Sequence, residues 1–144
     1  MTPILFVTAA GDRGGAEVAM ERIAGGLRAA GRFQPVMAVP DGSRLLSAWR
    51  DAGFDVVPTP PVRRLRSAME TWHVADAVAS AVKTQNIALV YTHGVGAELH
   101  GGLGAWRAGG YGGAPMPVAT IERLARDSEH DPSPVPQQIR RAHV

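Results

Sequence analysis

The sequence predicts an α/β fold, a doubly wound (Rossmann-like) parallel sheet with helices on both faces, in a single domain with an irregular C-terminal tail. Short apolar runs alternate with stretches of helical periodicity along most of the chain. The first run is apolar on both faces, as a strand buried inside a parallel sheet is. A glycine-rich turn joins this run to the first helical stretch. Because such alternation implies right-handed crossovers, we expect the strand order 3-2-1-4, which a fifth strand would extend.

Strands are predicted where apolar runs end at turn residues. Their ranges are 4–8, 35–39, 54–57 and 87–92. The third strand is expected to stop before Pro58, because proline lacks the amide that a sheet ladder needs. A fifth strand over residues 116–120 is weakened by the prolines at positions 115 and 117.

Helices are predicted from apolar positions that recur at helical spacing. They cover residues 16–30, a short segment after a Ser43 N-cap, residues 67–83 and residues 97–108. The apolar face of the first helix, which should turn inward, is expected to carry Ala16, Met20, Ile23 and Leu27. The three tryptophans fit inward positions and are expected in the core: Trp49, Trp72 and Trp106. The glycines and alanines of the fourth helix predict close packing on the sheet.

The chain is predicted to divide into one ordered domain and a less regular remainder. Residues 1–109 form the Rossmann-like domain, and residues 110–130 form a linker with an uncertain strand or helix. Residues 131–144 form a proline-rich tail, predicted to be disordered. Its little apolar area does not offset an ordering entropy of about 1–2 kcal/mol per residue.

Composition narrows the classes of function. The chain has no cysteine, which excludes disulfides and cysteine-ligated metals. Its net charge is only +2, with basic and acidic residues interleaved, and this argues against a nucleic-acid partner. The N-terminus lacks a basic leader, and no run approaches the ~20 apolar residues of a membrane helix. We expect a cytoplasmic protein, and contact with the inner membrane surface stays open.

A glycine-rich loop, Gly11 to Gly15, lies between the first strand and the first helix. Glycine lets the backbone approach a ligand and reach positive φ, and a helix N-terminus directs N–H groups at an anion. The spacing matches neither the dinucleotide fingerprint nor the Walker loop. Two interpretations remain: a turn that needs glycine for packing, or a loop that binds a phosphate or a sugar. Arg13 could bind a phosphate or be a solvated side chain. Glu17, in the first turn of the helix, could contact a ligand or offset the helix dipole.

Two segments carry a resemblance to a known family. GDRGGAE, residues 11–17, resembles the start of the N-terminal domain of retaining glycosyltransferases with two Rossmann-like domains (the GT-B fold), in glycosyltransferase family four. LVYTHGVGAELHGGLGAWRAG, residues 89–109, is similar to the family's fourth strand, which ends in T-H-G, and the helix after it. Together the likeness covers residues 3–109.

The resemblance implies the acceptor-side domain of an enzyme that transfers a hexose from a nucleotide-sugar to a sugar or lipid acceptor. It would make His93 the catalytic residue, beside the reacting sugar. The residues it would place at the substrate or its phosphates are Gly11, Arg13, Gly14, Gly15, Glu17 and Gly94. In such enzymes a C-terminal domain, which this sequence lacks, holds the donor nucleotide. The implied chemistry needs no metal and no cofactor, and the chain alone is expected to be incomplete and inactive.

The residues also leave other functions open. A free-standing flavodoxin-like module would use the same loop to bind a phosphate or a nucleotide without catalysis. Residues 116–131 do not match the family's fifth strand, which leaves truncation, a shifted frame and divergence as explanations. The cluster of Arg63, Arg64 and Arg66 indicates either a solvated loop or contact with an anionic acceptor or a membrane surface.

Overall fold

The computed structural model describes residues 1–62 and 67–109. Strands alternate with helices throughout this part of the chain. The elements are β1 (Thr2–Val7), α1 (Gly15–Ala29), β2 (Phe33–Pro40), α2 (Arg44–Asp51), β3 (Asp55–Thr59), α3 (Ala68–Thr84), β4 (Leu89–Thr92) and α4 (Val95–Arg107). The predictions for residues 110–144 and for the Arg63, Arg64 and Arg66 cluster lie outside the described residues.

The four strands form one parallel sheet in the order β3-β2-β1-β4, which confirms the predicted order. Successive residues of β1 are both fully buried, Leu5 at 0% exposure and Phe6 at 1%, so both faces of the sheet are covered. One face packs Leu5 and Val7 against α3 and α4 through Val74, Val78 and Ala97. Right-handed crossovers place α1 and α2 on the other face. The α/β fold with helices on both faces is therefore confirmed.

Seven of the eight ends of the described strands differ from the prediction by one or two residues, and the end of β4 at Thr92 agrees with it. β3 runs through Pro58, which pairs with Val39, and ends at Thr59. β3 is at an edge of the described sheet, where a strand tolerates a residue without an amide donor. β4 begins at Leu89 and not at residue 87.

The inward face of α1 is rotated relative to the prediction. The buried residues are Glu17, Met20 and Ala24, whereas Ile23 is 38% exposed. The prediction for Ile23 was therefore wrong. Periodicity of apolar residues could not find this face, because the buried glutamate belongs to it and makes internal hydrogen bonds.

The prediction for the tryptophans holds for one of three. Trp49 is buried, but Trp72 is 42% exposed and Trp106 is 52% exposed. α4 approaches α3 at Gly104, where a Cβ atom would lie 2.9 Å from the Ala75 carbonyl oxygen. Small residues make this close approach, and Trp72 and Trp106 lie at the surface and not in the core. The Trp72 ring instead lies 4.2 Å below the guanidinium of Arg107.

Candidate functional site

The loops that follow the four strands meet at one edge of the sheet, which we call the carboxyl edge. Val7 pairs with Thr92, so Thr8 and His93 are the first residues after two neighbouring strand ends. The glycine loop and the turn at His93 and Gly94 therefore begin at neighbouring strand ends. Open α/β sheets bind ligands at this edge.

Glu17 holds the glycine loop from inside the protein. Its side chain is buried, at 5% exposure. One carboxylate oxygen accepts a hydrogen bond from the Thr8 hydroxyl at 3.0 Å, and the other accepts from the Gly14 amide at 3.0 Å. The Thr8 hydroxyl oxygen also accepts from the Ala10 amide at 3.1 Å. We call these contacts among Thr8, Ala10, Gly14 and Glu17 the loop clamp, because they tie both ends of the loop to one carboxylate.

The glycines of the loop do not adopt the positive φ that glycine allows. Gly14 has φ −105° and ψ −172°, which is extended backbone, and Gly11 and Gly15 also lie outside the left-handed region. At Gly14 the reason is space, since a Cβ atom would lie 2.9 Å from a Glu17 carboxylate oxygen. At Gly15 a Cβ atom would meet nothing within 4 Å. Packing therefore explains Gly14 and leaves Gly15 unexplained.

The charged side chains of the loop are paired on the surface. Arg13 lies 2.9 Å from the carboxylate of Glu21, which also accepts a hydrogen bond from the Trp49 indole at 3.4 Å. Asp12 lies 3.8 Å from Arg44, and both side chains are largely exposed. Exposed ion pairs contribute about 0–1 kcal/mol. The side chain of Arg13 is 56% exposed and that of Glu21 is 28% exposed, and a contact of Arg13 with an anionic ligand stays a prediction.

The turn at His93 and Gly94 has its own conformational requirement. Half-buried His93 follows β4 directly. Gly94 has φ 89° and ψ 151°, a region that is essentially restricted to glycine. It is the N-cap of α4, and its carbonyl oxygen accepts from the Glu98 amide at 2.9 Å. Backbone geometry thus explains Gly94 without a ligand, while the roles of His93 and Gly94 at a substrate stay predictions.

One buried histidine was not assigned a role by the sequence. His100 on α4 is 2% exposed. Burial lowers its pKa from the ordinary value of 6.5, because the charged imidazolium would lose its hydration. Its imidazole is therefore held neutral in the folded protein at neutral pH.

A groove of about 370 Å³ opens at the carboxyl edge between the loops that follow β1, β2 and β3. Its polar lining residues are Gly11, Asp12, Asp41, Gly42, Ser43 and Arg44. Gly11 is the predicted site residue that lines it. The contribution of the loop after β2 was missed, although the same strand-end rule that selected His93 applies to Asp41.

Ser43 occupies the predicted N-cap position of α2 but does not use its side chain there. Its backbone is extended, with φ −76° and ψ 153°, and its hydroxyl makes no capping hydrogen bond. The hydroxyl oxygen is buried and has no hydrogen-bond partner among residues 1–62 and 67–109. Ser43 therefore contributes to the groove a hydroxyl group that is not used to cap α2.

Comparison with solved structures finds this fold in two glycosyltransferases, among others. A glycosyltransferase from Rickettsia africae superimposes with a TM-score of 0.61 at 19% identity, over 74% of this chain and 27% of its own. MurG from Acinetobacter baumannii superimposes with a TM-score of 0.64 at 16% identity, over 85% of this chain and 39% of its own. The likeness shows a shared fold. The chain spans between about a quarter and two-fifths of the length of these two proteins.

Sequence comparison adds nothing to this likeness. No protein-family profile matches the chain, and no curated protein sequence matches it. Within residues 1–62 and 67–109, no helix is long and apolar enough to cross a membrane.

Proposed function

We propose that this chain is the acceptor-side N-terminal domain of a retaining, GT-B-type glycosyltransferase that transfers a hexose from a nucleotide-sugar to a sugar or lipid acceptor. A partner domain would hold the donor nucleotide, so the chain alone is not expected to turn over. The observation that carries the proposal is that the glycine loop and His93 follow adjacent parallel strands at the same edge of the sheet, in a fold shared with two glycosyltransferases.

The start of α1 suits the stabilisation of a departing diphosphate. The first amides of a helix have no acceptor within it, and a polar N-cap side chain normally supplies one. Here the N-cap is Gly14, which makes no side-chain capping bond. The amides of Ala16 and Glu17 are thus left without that partner, at the positive end of the helix dipole. A phosphate oxygen placed there would receive N–H donors that are already oriented.

His93 would act on the sugar side of the same edge. It follows the buried end of β4, Tyr91 and Thr92, and the pairing of Thr92 with Val7 fixes the backbone that leads to it. We propose that it positions the reacting sugar, which lowers the barrier by orientation. Arg13 would leave its surface pair with Glu21 to contact a phosphate.

A free-standing phosphate- or nucleotide-binding module is the competing function. Gly15 is exposed and has open space around its α-carbon, so any anion could approach the start of α1 there. This observation supports the binding module as well as it supports the glycosyltransferase domain. The two proposals differ in whether the sugar adds to binding.

A titration of the ¹⁵N-labelled full chain, followed by amide NMR shifts, tests the proposal. The probes are UDP-, GDP- and ADP-hexoses, with the matching free nucleotides and inorganic phosphate. We expect one nucleotide-sugar to bind more tightly than its free nucleotide, with shifts at Gly14, Gly15 and His93. Equal affinity for sugar and sugar-free nucleotide would favour the binding module, and binding of no probe would contradict both.

Variants at the two strand ends sharpen this titration. Gly15→Val places a branched side chain in the open space and should weaken binding with little change in melting temperature. His93→Ala should remove the preference for the sugar. Gly102→Ala, on the exposed side of α4, is the matched control that should leave binding unchanged. Parallel losses of affinity and melting temperature in Gly15→Val would assign the loop a packing role.

A further inference from the structure

We propose that Glu17 is a positioning residue, which sets the conformation of the glycine loop without contacting the ligand itself. This inference rests on the proposed function, because it concerns the same loop. Both carboxylate oxygens already accept hydrogen bonds from within the chain, from Thr8 and Gly14. The side chain is buried at 5% exposure, so a ligand at the surface of the loop does not reach it.

The loop depends on this carboxylate because little else holds it. Residues 11–15 are all exposed. Beyond the loop clamp, the Arg44 amide donates to the Gly11 carbonyl at 3.2 Å, and the charged side chains form surface pairs. By fixing the Gly14 amide, Glu17 also fixes the peptide unit that leads into the uncapped first turn of α1. The clamp thus orients the amides that would contact the ligand.

The clamp keeps only one of the two hydrogen bonds that are usual at a helix start. In a capping box, an N-cap side chain binds the N3 amide while an N3 side chain binds back to the N-cap amide. Here Glu17 keeps the second half at the N-cap amide of Gly14, and glycine removes the first half. The bond from the Gly14 amide to Glu17 therefore holds the loop, and the missing N-cap side chain leaves room for an external acceptor at the Glu17 amide.

Positioning and charge predict different outcomes at this residue. Glu17→Met is apolar and similar in length, and it removes both acceptor oxygens. Glu17→Gln keeps one oxygen to accept from Gly14, and its amide can donate to the Thr8 hydroxyl oxygen, so the geometry survives without the charge. Thr8→Val and Thr8→Ser form the corresponding pair at the other end of the clamp. Ser67→Ala removes the N-cap bond of α3 to the Glu70 amide and is the matched control for lost stability.

The nucleotide-sugar titration is repeated on these variants of the full chain, with melting temperatures recorded. We expect Glu17→Met and Thr8→Val to weaken binding at least tenfold, and Glu17→Gln and Thr8→Ser to restore it to within about threefold of wild type. Ser67→Ala should lower the melting temperature to a similar degree and leave binding unchanged. Glu17→Met that binds like wild type, or Glu17→Gln that binds as weakly as Glu17→Met, overturns the positioning role.

A second measurement keeps this inference separate from the proposed function. If wild type binds no probe, the proposed function fails, and the clamp is judged by amide hydrogen exchange in the free protein. Glu17→Met should then raise the exchange rate of the Gly14 amide at least tenfold relative to amides of β1, with Glu17→Gln close to wild type. Unchanged exchange at Gly14 in Glu17→Met overturns the inference regardless of binding.

Discussion

At the scale of single residues, Gly14 and Gly15 are neighbours in one loop but have different surroundings. Gly14 faces the buried carboxylate of Glu17, whereas Gly15 faces open space. The sequence motif does not distinguish them, because both are small and adjacent. The difference lies in which neighbour approaches the α-carbon.

This difference predicts a matched pair of variants. Gly14→Ala pushes a methyl group against the Glu17 carboxylate and strains the loop clamp, so we expect it to lower the free energy of unfolding by about 1–2 kcal/mol. Gly15→Ala meets no neighbour and lies in the first turn of α1, so its effect should stay within about 0.5 kcal/mol. Urea denaturation of both variants measures this. Equal destabilisation would show that the loop backbone, and not the carboxylate, sets the requirement.

His100 predicts a dependence of stability on pH. Its pKa in the folded protein is lowered below the ordinary 6.5 by burial, so the unfolded chain binds the proton more readily. The free energy of unfolding is therefore unaffected by protonation of His100 above about pH 6.5, and it decreases as the pH falls through that value toward the lowered pKa. Urea denaturation at about pH 7.5 and pH 5 should show wild type losing more stability than His100→Gln. His73→Gln, at an exposed position on α3, is the control and should follow wild type.

At the scale of elements, α4 is shaped by its glycines. Gly101 packs against Thr92 of β4, and Gly104 packs against Val78 and the Ala75 carbonyl of α3, so a side chain at either would overlap them. Gly102, between them, faces open space. The predicted small-residue contact is thus confirmed, and the structure shows that α3 is part of it as well as the sheet.

Two alanine substitutions on this helix should have opposite signs. Gly104→Ala overpacks the contact with α3 and should lower the free energy of unfolding by about 1–3 kcal/mol. Gly102→Ala gains helix propensity without a clash and should raise it by about 0.5–1 kcal/mol. Thermal or urea unfolding measures both. A stabilising Gly104→Ala would mean that the two helices separate readily, and the close contact would then not be a determinant of the fold.

Periodicity and turn residues in the sequence were enough to predict the strands, the helices and their order, because backbone geometry fixes those periods. They failed where a polar residue is buried on the inward face of a helix and where a large apolar residue is exposed at the surface. Glu17 is buried because its carboxylate accepts hydrogen bonds inside the protein. Trp72 packs against the guanidinium of Arg107 and not in the core. The groove at Asp41 and Ser43 was missed because it depends on three loops that are distant in sequence.

At the scale of the whole molecule, most of the residues that the proposed function assigns to the substrate are exposed. Residues 11–15 and Gly94 are exposed, so water competes for the hydrogen bonds they offer. The chain corresponds to 27% and 39% of the two glycosyltransferases that share its fold. A site open to water loses both the orientation of the sugar and the protection of its reactive intermediate.

We therefore expect the chain alone to bind a nucleotide-sugar without turning it over at a useful rate. Holding the reactants in the right geometry can lower the activation barrier by roughly 7–11 kcal/mol. A chain that forms only one side of the proposed site would lose much of this effect. The test incubates UDP-, GDP- and ADP-hexoses with the purified chain and a sugar acceptor, and measures released nucleotide. His93→Ala is the control, because it alters the proposed reacting position and leaves the glycine loop unchanged. Release well above this control would mean that a complete site forms from this chain, which would contradict its assignment as one domain of a two-domain enzyme.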